Sequence, residues 1–144
     1  MKVAPELQQK VQYILQRTDT TLAGTLGIEY LTLEKDLVEA SMPVDGRTKQ
    51  PFGILHGGAS VALAESVASI GGWLNVDETK YLVVGLEINA NHIRPMREGK
   101  VIGRATPVHR GAKTQVWDIR ISTEDGKLVC ISRCTLAIID QPKP

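Results

Sequence analysis

The sequence predicts an α+β fold in which one antiparallel sheet wraps around a single long helix. Three observations lead to this class: a long segment of small and apolar residues between 58 and 75, several segments that alternate apolar and polar residues, and tight-turn signals between them. At 144 residues the chain fits one domain spanning 1–144, which is large enough to bury a core of its own.

The first third of the chain predicts a surface helix followed by a hairpin. Within Glu6–Arg17, directly after Pro5, apolar residues recur at helical spacing with polar residues between them, which is typical of a short amphipathic helix and predicts a surface lid. The pattern becomes extended over Thr25–Val44, and Glu34-Lys35-Asp36 marks the turn of a first hairpin. A polar loop, 45–53, then leads into the long helix.

The long helix is predicted from about Gly58 to Asn75. Glycine destabilises a helix interior by about 1 kcal/mol relative to alanine, so a segment this rich in Gly, Ala and Ser must owe its helicity to packing at the centre of the fold. Four strands follow, joined by short hairpin connections, with Asp125-Gly126 as a tight turn between the last two. Their predicted bounds are 81–94, 100–109, 114–123 and 127–139.

Charge and composition argue against several classes of protein. The formal net charge of +1 offers no basic surface of the kind that a general nucleic-acid binder needs. No apolar run has the length of a membrane span, and the N-terminus lacks the apolar core of a signal peptide. Cys130 and Cys134 lie on one predicted strand about 13 Å apart, too far for a disulfide. We therefore expect a reducing cytoplasm, with neither a nucleic-acid nor a membrane partner.

One carboxylate interrupts the long helix. Glu65 shares a helical face with Val61, Ala62 and Ser69, and an ionised carboxylate among apolar side chains is costly unless it is paired, hydrogen-bonded or chemically useful. The residues alone leave two interpretations open. Glu65 reaches the surface or an arginine, or it is a catalytic group.

A His-Gly-Gly turn opens the same helix. Free N–H groups and the positive end of the helix dipole at His56-Gly57-Gly58 form a site for an anion or an oxyanion, although a capping histidine is an equally ordinary explanation. Nine residues separate His56 from Glu65, which is about 13 Å along a helix. One carbonyl cannot touch both within one chain, so a common site requires an isologous dimer.

Three stretches of the sequence resemble the hotdog-fold acyl-CoA thioesterases. They are Q-P-F-G-I-L-H-G-G-A-S-V-A-L-A-E-S from Gln50, V-V-G-L-E-I-N-A-N-H-I-R from Val83, and H-R-G-A-K-T-Q-V-W from His109. The resemblance is to the branch of 4-hydroxybenzoyl-CoA and phenylacetyl-CoA thioesterases, and within it to the 1,4-dihydroxy-2-naphthoyl-CoA hydrolases of menaquinone synthesis. It implies a hotdog fold and dimers that join two sheets edge to edge, commonly paired into homotetramers.

The resemblance also implies catalytic roles. Glu65 matches the family's catalytic carboxylate, as nucleophile or as general base, and Gly57 matches the N–H that polarises the thioester oxygen. His56 and Gln50 match polar residues beside the thioester, and Ser69 matches a hydroxyl that assists hydrolysis. Such a site needs preorganised donors for the developing oxyanion and a carboxylate for attack. We expect no metal and no cofactor, since the three histidines have no spacing of a zinc site.

Further segments match those that hold the acyl group and the coenzyme A arm and nucleotide. The matching positions are Gly85, His92, Ile93, Arg94, Pro95, His109, Arg110, Gly111, Ala112, Lys113 and Thr114. Arginine and lysine suit phosphate groups. The alternative for residues 110–113 is an ordinary solvated hairpin turn.

The predicted function is hydrolysis of aryl or medium-sized acyl-CoA thioesters by a homo-oligomer with shared sites. Two alternatives remain, an acyl-CoA-binding sensor without catalysis and hydratase chemistry. The acyl pocket is expected to depend on Val67, Ile70 and Leu74 together with loops of two chains. The residues do not separate acyl-CoA from acyl-carrier-protein substrates, because both present the same phosphopantetheine arm.

Overall fold

A computed structural model describes residues 1–142 of the chain. Its helices are α1 (Gln8–Thr18), α2 (Leu22–Leu26) and α3 (Gly57–Leu74), with one 3₁₀ turn at Pro5–Leu7 before α1. Its strands are β1 (Lys2–Val3), β2 (Glu29–Leu33), β3 (Val38–Pro43), β4 (Tyr81–His92), β5 (Lys100–Arg110), β6 (Thr114–Thr123) and β7 (Leu128–Asp140). They form one sheet in the order β1-β2-β3-β5-β6-β7-β4, antiparallel throughout except for the short β1–β2 pair.

Helix α3 lies at the centre of this curved sheet. The alternation predicted for β6 is present, with Trp117, Ile119 and Ile121 fully buried on the face toward the helix. The small residues of α3 let the sheet approach closely: a Cβ added to Gly71 would lie 2.7 Å from the Trp117 ring. Tertiary packing thus offsets the poor helix propensity of this segment, and the predicted α+β class with one long central helix is confirmed.

Two short elements near the N-terminus escaped prediction, namely β1 and α2. The chain from Thr25 was expected to be extended, but its first residues belong to α2, and β2 begins only at Glu29. Thr21 in extended conformation and Gly27 in the left-handed region (φ 69°) bracket this five-residue helix. A helix this short leaves no periodic pattern, and its apolar residues were read as the start of a strand.

The predicted hairpin between β4 and β5 is wrong. β4 pairs with β7 at one edge of the sheet, whereas β5 lies between β3 and β6. The connecting loop, 93–99, runs from β4 to β5 past β7 and the segment that precedes α3. The Ile93 N–H donates to Val129 O (2.8 Å), and the Leu55 N–H donates to Met96 O (2.7 Å). This path brings the end of β4 beside the start of α3.

Helix α1 lies at the surface, as predicted, and is fixed against the C-terminal end of α3. The Lys10 ammonium is 2.8 Å from the Glu78 carboxylate, 2.6 Å from Val76 O and 4.5 Å from the centre of the Trp73 ring. Tyr13 stacks on Trp73 with ring centroids 6.0 Å apart. Within residues 1–142, no helix is both long enough and apolar enough to cross a membrane.

Candidate active site

The N-terminus of α3 presents a backbone donor that no described residue uses. His56 caps the helix, its Nδ1 accepting from the Gly58 N–H at 2.7 Å, and its carbonyl accepts from Ala59 N–H at 2.9 Å. The Gly57 N–H has no acceptor within residues 1–142. The His92 ring covers this glycine, since a Cβ added there would lie 2.7 Å from Nε2. The start of α3 therefore combines a capping histidine with a glycine N–H that donates to none of the described residues.

A tight turn holds Gln50 beside this helix start. The Gln50 N–H donates to Ile54 O and the Gly53 N–H donates to Gln50 O, both at 2.9 Å. Gly53 has a φ of 77°, a left-handed conformation that favours glycine. The side-chain oxygen of Gln50 accepts from the Phe52 N–H, which fixes the side chain as well as the backbone.

The first of four clefts lies at this end of α3. It measures about 340 Å³ and is lined by six of the predicted site residues: Gln50, Gly57, His92, Ile93, Arg94 and Pro95. Four further lining residues were not predicted: Ile54, Leu55, Ser60 and Val129. The loop after β4 supplies one wall, which is why segments about 40 residues apart in sequence meet here.

The second cleft, of about 590 Å³, contains Glu65 and Ser69. It runs along the half-buried face of α3 beneath α2, with Tyr30 of β2 in its wall. Of the three residues expected to shape the acyl pocket, Ile70 lines this cleft. Val67 and Leu74 do not, because they face the sheet and are 0% and 2% exposed. Their place in the cleft is taken by Val61, Ala62 and Leu22.

The Glu65 carboxylate lies against the backbone of Gly85 in β4. A Cβ added to Gly85 would be 3.2 Å from the carboxyl carbon and closer still to Oε1, inside the 3.0 Å that real Cβ contacts keep. The β4–β7 register shifts between Gly85 and Glu87, so a bulge lies at this contact. Glu65 has no hydrogen bond or salt bridge within residues 1–142, so no arginine in the described part of this chain pairs with it.

A buried thiol lies close to the same carboxylate. Burial raises the pKa of Cys134 to about 12, and the negative charges of Glu65 and Glu87 add to that rise. Cys130 is also buried, and burial raises the pKa of its thiol. Both cysteines are free, so the prediction that they do not pair is confirmed.

The third group of predicted residues lies at the turn between β5 and β6. Arg110, Gly111 and Ala112 line a cleft of about 480 Å³, and the Gly111 N–H donates to Thr114 O at 2.9 Å. The Arg110 guanidinium is already engaged, 2.7 Å from the Asp36 carboxylate and 2.9 Å from Asn75 Oδ1. Lys113 forms no salt bridge with any described residue.

One chain therefore distributes the predicted site over four places, because His56 lines a further cleft of about 310 Å³. Gln50, Gly57 and the residues after β4 share the first cleft, Glu65 and Ser69 share the second, and the β5–β6 turn forms the third. His109 packs against Gly111, with Nε2 2.7 Å from a Cβ added to that glycine. Among residues 1–142, no three His, Cys, Asp or Glu side chains form a group that would hold a metal ion.

The residues that cover the Glu65 cleft were not predicted from the sequence. Thr21, Leu22 and Ala23 of the α2 region and Tyr30 of β2 line it, but none belongs to a recognisable motif. The available signal was the pair of helix boundaries at Thr21 and Gly27, which would have placed a turn of helix before β2.

These features define a thioester hydrolase with the hotdog fold. The sequence pattern of the Thioesterase superfamily matches residues 52–130, and the chain belongs to that family. A 1,4-dihydroxy-2-naphthoyl-CoA hydrolase of Escherichia coli K12 is 55% identical over 118 residues, covering 82% of this chain and 86% of that protein. The proofreading thioesterase EntH of Klebsiella pneumoniae is 48% identical over 122 residues, covering 85% and 88%.

Solved structures support the same assignment. The thioesterase HI1161 of Haemophilus influenzae superimposes with a TM-score of 0.86 at 51% sequence identity, covering 92% of each chain. A mutant of thioesterase PA1618 of Pseudomonas aeruginosa gives a TM-score of 0.87 at 46% identity, covering 90% of this chain and 94% of that one. The resemblance found in the sequence is confirmed.

Proposed function

We propose that this enzyme hydrolyses aryl or medium-sized acyl-CoA thioesters to the free acid and coenzyme A, with Glu65 as the catalytic carboxylate. The observation that carries the proposal is a carboxylate that pairs with none of the described residues, on the half-buried face of α3, in a cleft of about 590 Å³. The volume is of the size that proteins use for small ligands. The identity to a 1,4-dihydroxy-2-naphthoyl-CoA hydrolase makes that thioester the first bicyclic substrate to test.

The chemistry requires a carboxylate and an oxyanion donor around one carbonyl. Glu65 takes a proton from a water that attacks the thioester carbon, or attacks that carbon itself to form an anhydride that water later cleaves to the free acid and the Glu65 carboxylate. In both routes the carbonyl oxygen becomes negatively charged. The free Gly57 N–H at the positive end of α3 is suited to stabilise that charge. The C–S bond then breaks, and coenzyme A leaves as a thiolate that takes up a proton. Ser69 lies in the same cleft as Glu65, and its hydroxyl is proposed to hold the water.

His56 has a positioning role in this proposal. Its Nδ1 accepts from the Gly58 N–H, so in the neutral ring the proton is on Nε2. Capping fixes the first turn of α3 and therefore the direction of the Gly57 N–H. Gln50 lies in the same cleft as Gly57, and its amide is suited to bind the thioester or a water beside it.

The proposed site is shared by two chains. Gly57 and Glu65 lie in separate clefts of one chain, as the rise of α3 requires, so a dimer must bring the Gly57 cleft of one subunit to the Glu65 cleft of the other. Among the described residues, strand β4 has a neighbour on one side only, and its Leu86 is 65% exposed. An apolar edge strand of twelve residues is suited to pair with a second copy, and such dimers would pair further into tetramers.

The coenzyme A arm is proposed to extend from this shared site toward basic side chains. Arg94 lies at the Gly57 cleft, and Lys113 lies on the β5–β6 turn without a salt bridge to the described residues. Arg110 would have to leave Asp36 or bind a phosphate with its remaining N–H groups. The two free cysteines are consistent with the reducing cytoplasm that we propose as the compartment.

The decisive experiment replaces Glu65 and measures release of coenzyme A from benzoyl-CoA and from 1,4-dihydroxy-2-naphthoyl-CoA. We expect Glu65→Gln to lower kcat by at least about 10²-fold, because loss of a general base or nucleophile removes that much or more. Glu124→Gln is the matched control, since Glu124 is exposed on the β6–β7 turn. Near-normal turnover by a folded Glu65→Gln enzyme would refute the assignment, and binding without hydrolysis by the wild type would favour a sensor.

A second experiment tests the shared site. Leu86→Arg places a charge on the free edge of β4, and we expect monomers by analytical ultracentrifugation together with loss of activity. Leu31→Arg is the control, because Leu31 is an exposed leucine at the register shift of β2, away from that edge. A fully active monomer would overturn the two-chain proposal.

A further inference from the structure

Tyr30 is the one phenol in the Glu65 cleft, and its ring points inward. It lies directly opposite Ala40 in the β2–β3 pair, and Ala40 is 0% exposed. Residues that face each other across an antiparallel pair project to the same side of the sheet, so the Tyr30 ring lies on the core side. It packs against the hydrophobic core and ends in the cleft wall.

The Tyr30 hydroxyl has no partner in the described part of the chain. No hydrogen bond to it is formed within residues 1–142. Every fully enclosed side-chain nitrogen or oxygen atom in those residues does have a partner, so this hydroxyl must open onto the cleft rather than end in sealed core. Burial of the ring raises the pKa of Tyr30 to about 12, and the group therefore stays a neutral donor throughout the physiological range.

The other side-chain polar groups in this cleft are already in use or have a proposed role. Ser66 donates to Ala62 O and Thr21 donates to Thr18 O, both at 2.7 Å, and Glu65 and Ser69 belong to the proposed hydrolytic machinery. The rest of the wall near Tyr30 is apolar and includes Leu22, Val61 and Ile70. An acyl group in the cleft would thus meet apolar side chains and one donor that is not otherwise engaged.

We propose that Tyr30 is a specificity-determining residue whose hydroxyl donates a hydrogen bond to an oxygen substituent on the acyl group. This inference rests on the proposed function, since it requires the acyl group to occupy the Glu65 cleft. The enzyme then favours acyl groups that carry a hydroxyl or carbonyl oxygen at the matching position over unsubstituted ones of the same size. Selection arises because a substrate without that oxygen leaves a desolvated phenol unpaired.

The test combines a substrate series with a tyrosine substitution. Benzoyl-CoA and its 2-, 3- and 4-hydroxy derivatives are compared by kcat/KM for wild type and for Tyr30→Phe. At one or more ring positions we expect wild type to favour the hydroxylated substrate by about tenfold, and Tyr30→Phe to abolish that ratio. Tyr13→Phe is the matched control, because Tyr13 stacks on Trp73 outside the cleft and should leave the ratio unchanged.

The outcomes separate this inference from the proposed function. If wild type hydrolyses none of the four thioesters, the aryl-CoA assignment is wrong and the inference is withdrawn with it. If it hydrolyses them but the hydroxyl ratio changes by less than threefold in Tyr30→Phe at every ring position, the Tyr30 inference alone is overturned. A fall in melting temperature of more than about 2 °C in Tyr30→Phe would also overturn it, since that would reveal a structural partner for the hydroxyl.

Discussion

Gly85→Ala is the substitution for which the structure gives the sharpest expectation. The new Cβ would overlap the Glu65 carboxylate, whose carboxyl carbon it would approach to 3.2 Å and whose Oε1 it would approach more closely. The carboxylate must therefore move by about 1 Å or more, and a displacement of that size in a catalytic group costs on the order of 10²-fold in rate. We expect kcat for benzoyl-CoA to fall by about 100-fold.

The fold should tolerate this change. Gly85 does not have a positive φ, so alanine can adopt its backbone conformation, and the only group displaced is the end of a flexible side chain. Gly46→Ala is the matched control, because Gly46 also lacks a positive φ and has no atom within 4 Å of an added Cβ. Thermal unfolding should place both variants close to wild type.

The assay follows coenzyme A release from benzoyl-CoA, in wild-type and Glu65→Gln backgrounds. If the methyl group acts through the carboxylate, Gly85→Ala should cost about 100-fold in the first background and almost nothing in the second. An equal loss in both backgrounds would show that Gly85 acts on substrate binding or on the β4 edge instead. A folded Gly85→Ala enzyme with kcat within threefold of wild type would refute the reasoning altogether.

Three further predictions concern stability and reactivity. His56→Ala should lower the free energy of unfolding, measured by urea titration, by about 1 kcal/mol through loss of the N-cap. Asparagine can also cap a helix, so His56→Asn should lose much less, and equal losses in the two variants would contradict the capping role. The carboxylate of Asp77 accepts from Thr79 and pairs with Lys80, which lowers its pKa from 3.8 to about 2. Because the pKa of Asp77 is lower in the folded than in the unfolded state, its stabilisation of the fold is present above pH 4 and is lost as the pH falls through 2. The difference in melting temperature between wild type and Asp77→Asn should therefore shrink between pH 4 and pH 2. Cys130 and Cys134 should react with a thiol reagent only after denaturation, as both thiols are buried with raised pKa values; rapid labelling of the native protein would show that β7 opens.

The central helix and the sheet strands could be predicted because their patterns are local. The composition of α3 and the alternation of Trp117, Ile119 and Ile121 each report burial of one face. The pairing partner of a strand cannot be predicted in the same way. Alternation says which side of β4 faces the core but not that its pairing partner is β7, and the nearest strand in sequence, β5, was taken instead.

The same distinction between local patterns and long-range contacts applies to the candidate site. Glu65 and Gly57 stood out because a carboxylate in an apolar helix and a glycine at a helix start are unusual within a few residues of sequence. The contact between Glu65 and Gly85 joins α3 to a strand twenty residues further on, and its cause is a missing side chain. Tyr30 gave no signal at all, since an inward tyrosine on a strand is ordinary until the cleft beside it is known.

Strand β4 links the two requirements of the proposed mechanism. Gly85 makes room for the Glu65 carboxylate, and the bulge that follows it displays Leu86 at the free edge of the sheet. If two chains join along this edge, the strand that admits the carboxylate also brings the second Gly57 N–H toward it. Activity should therefore follow the dimer fraction: on dilution of a variant weakened at the edge, such as Leu86→Ala, specific activity and sedimentation coefficient should fall together. Activity that persists after the dimer has dissociated would place both catalytic groups in one chain, against the 13 Å or so of helix that separates His56 from Glu65.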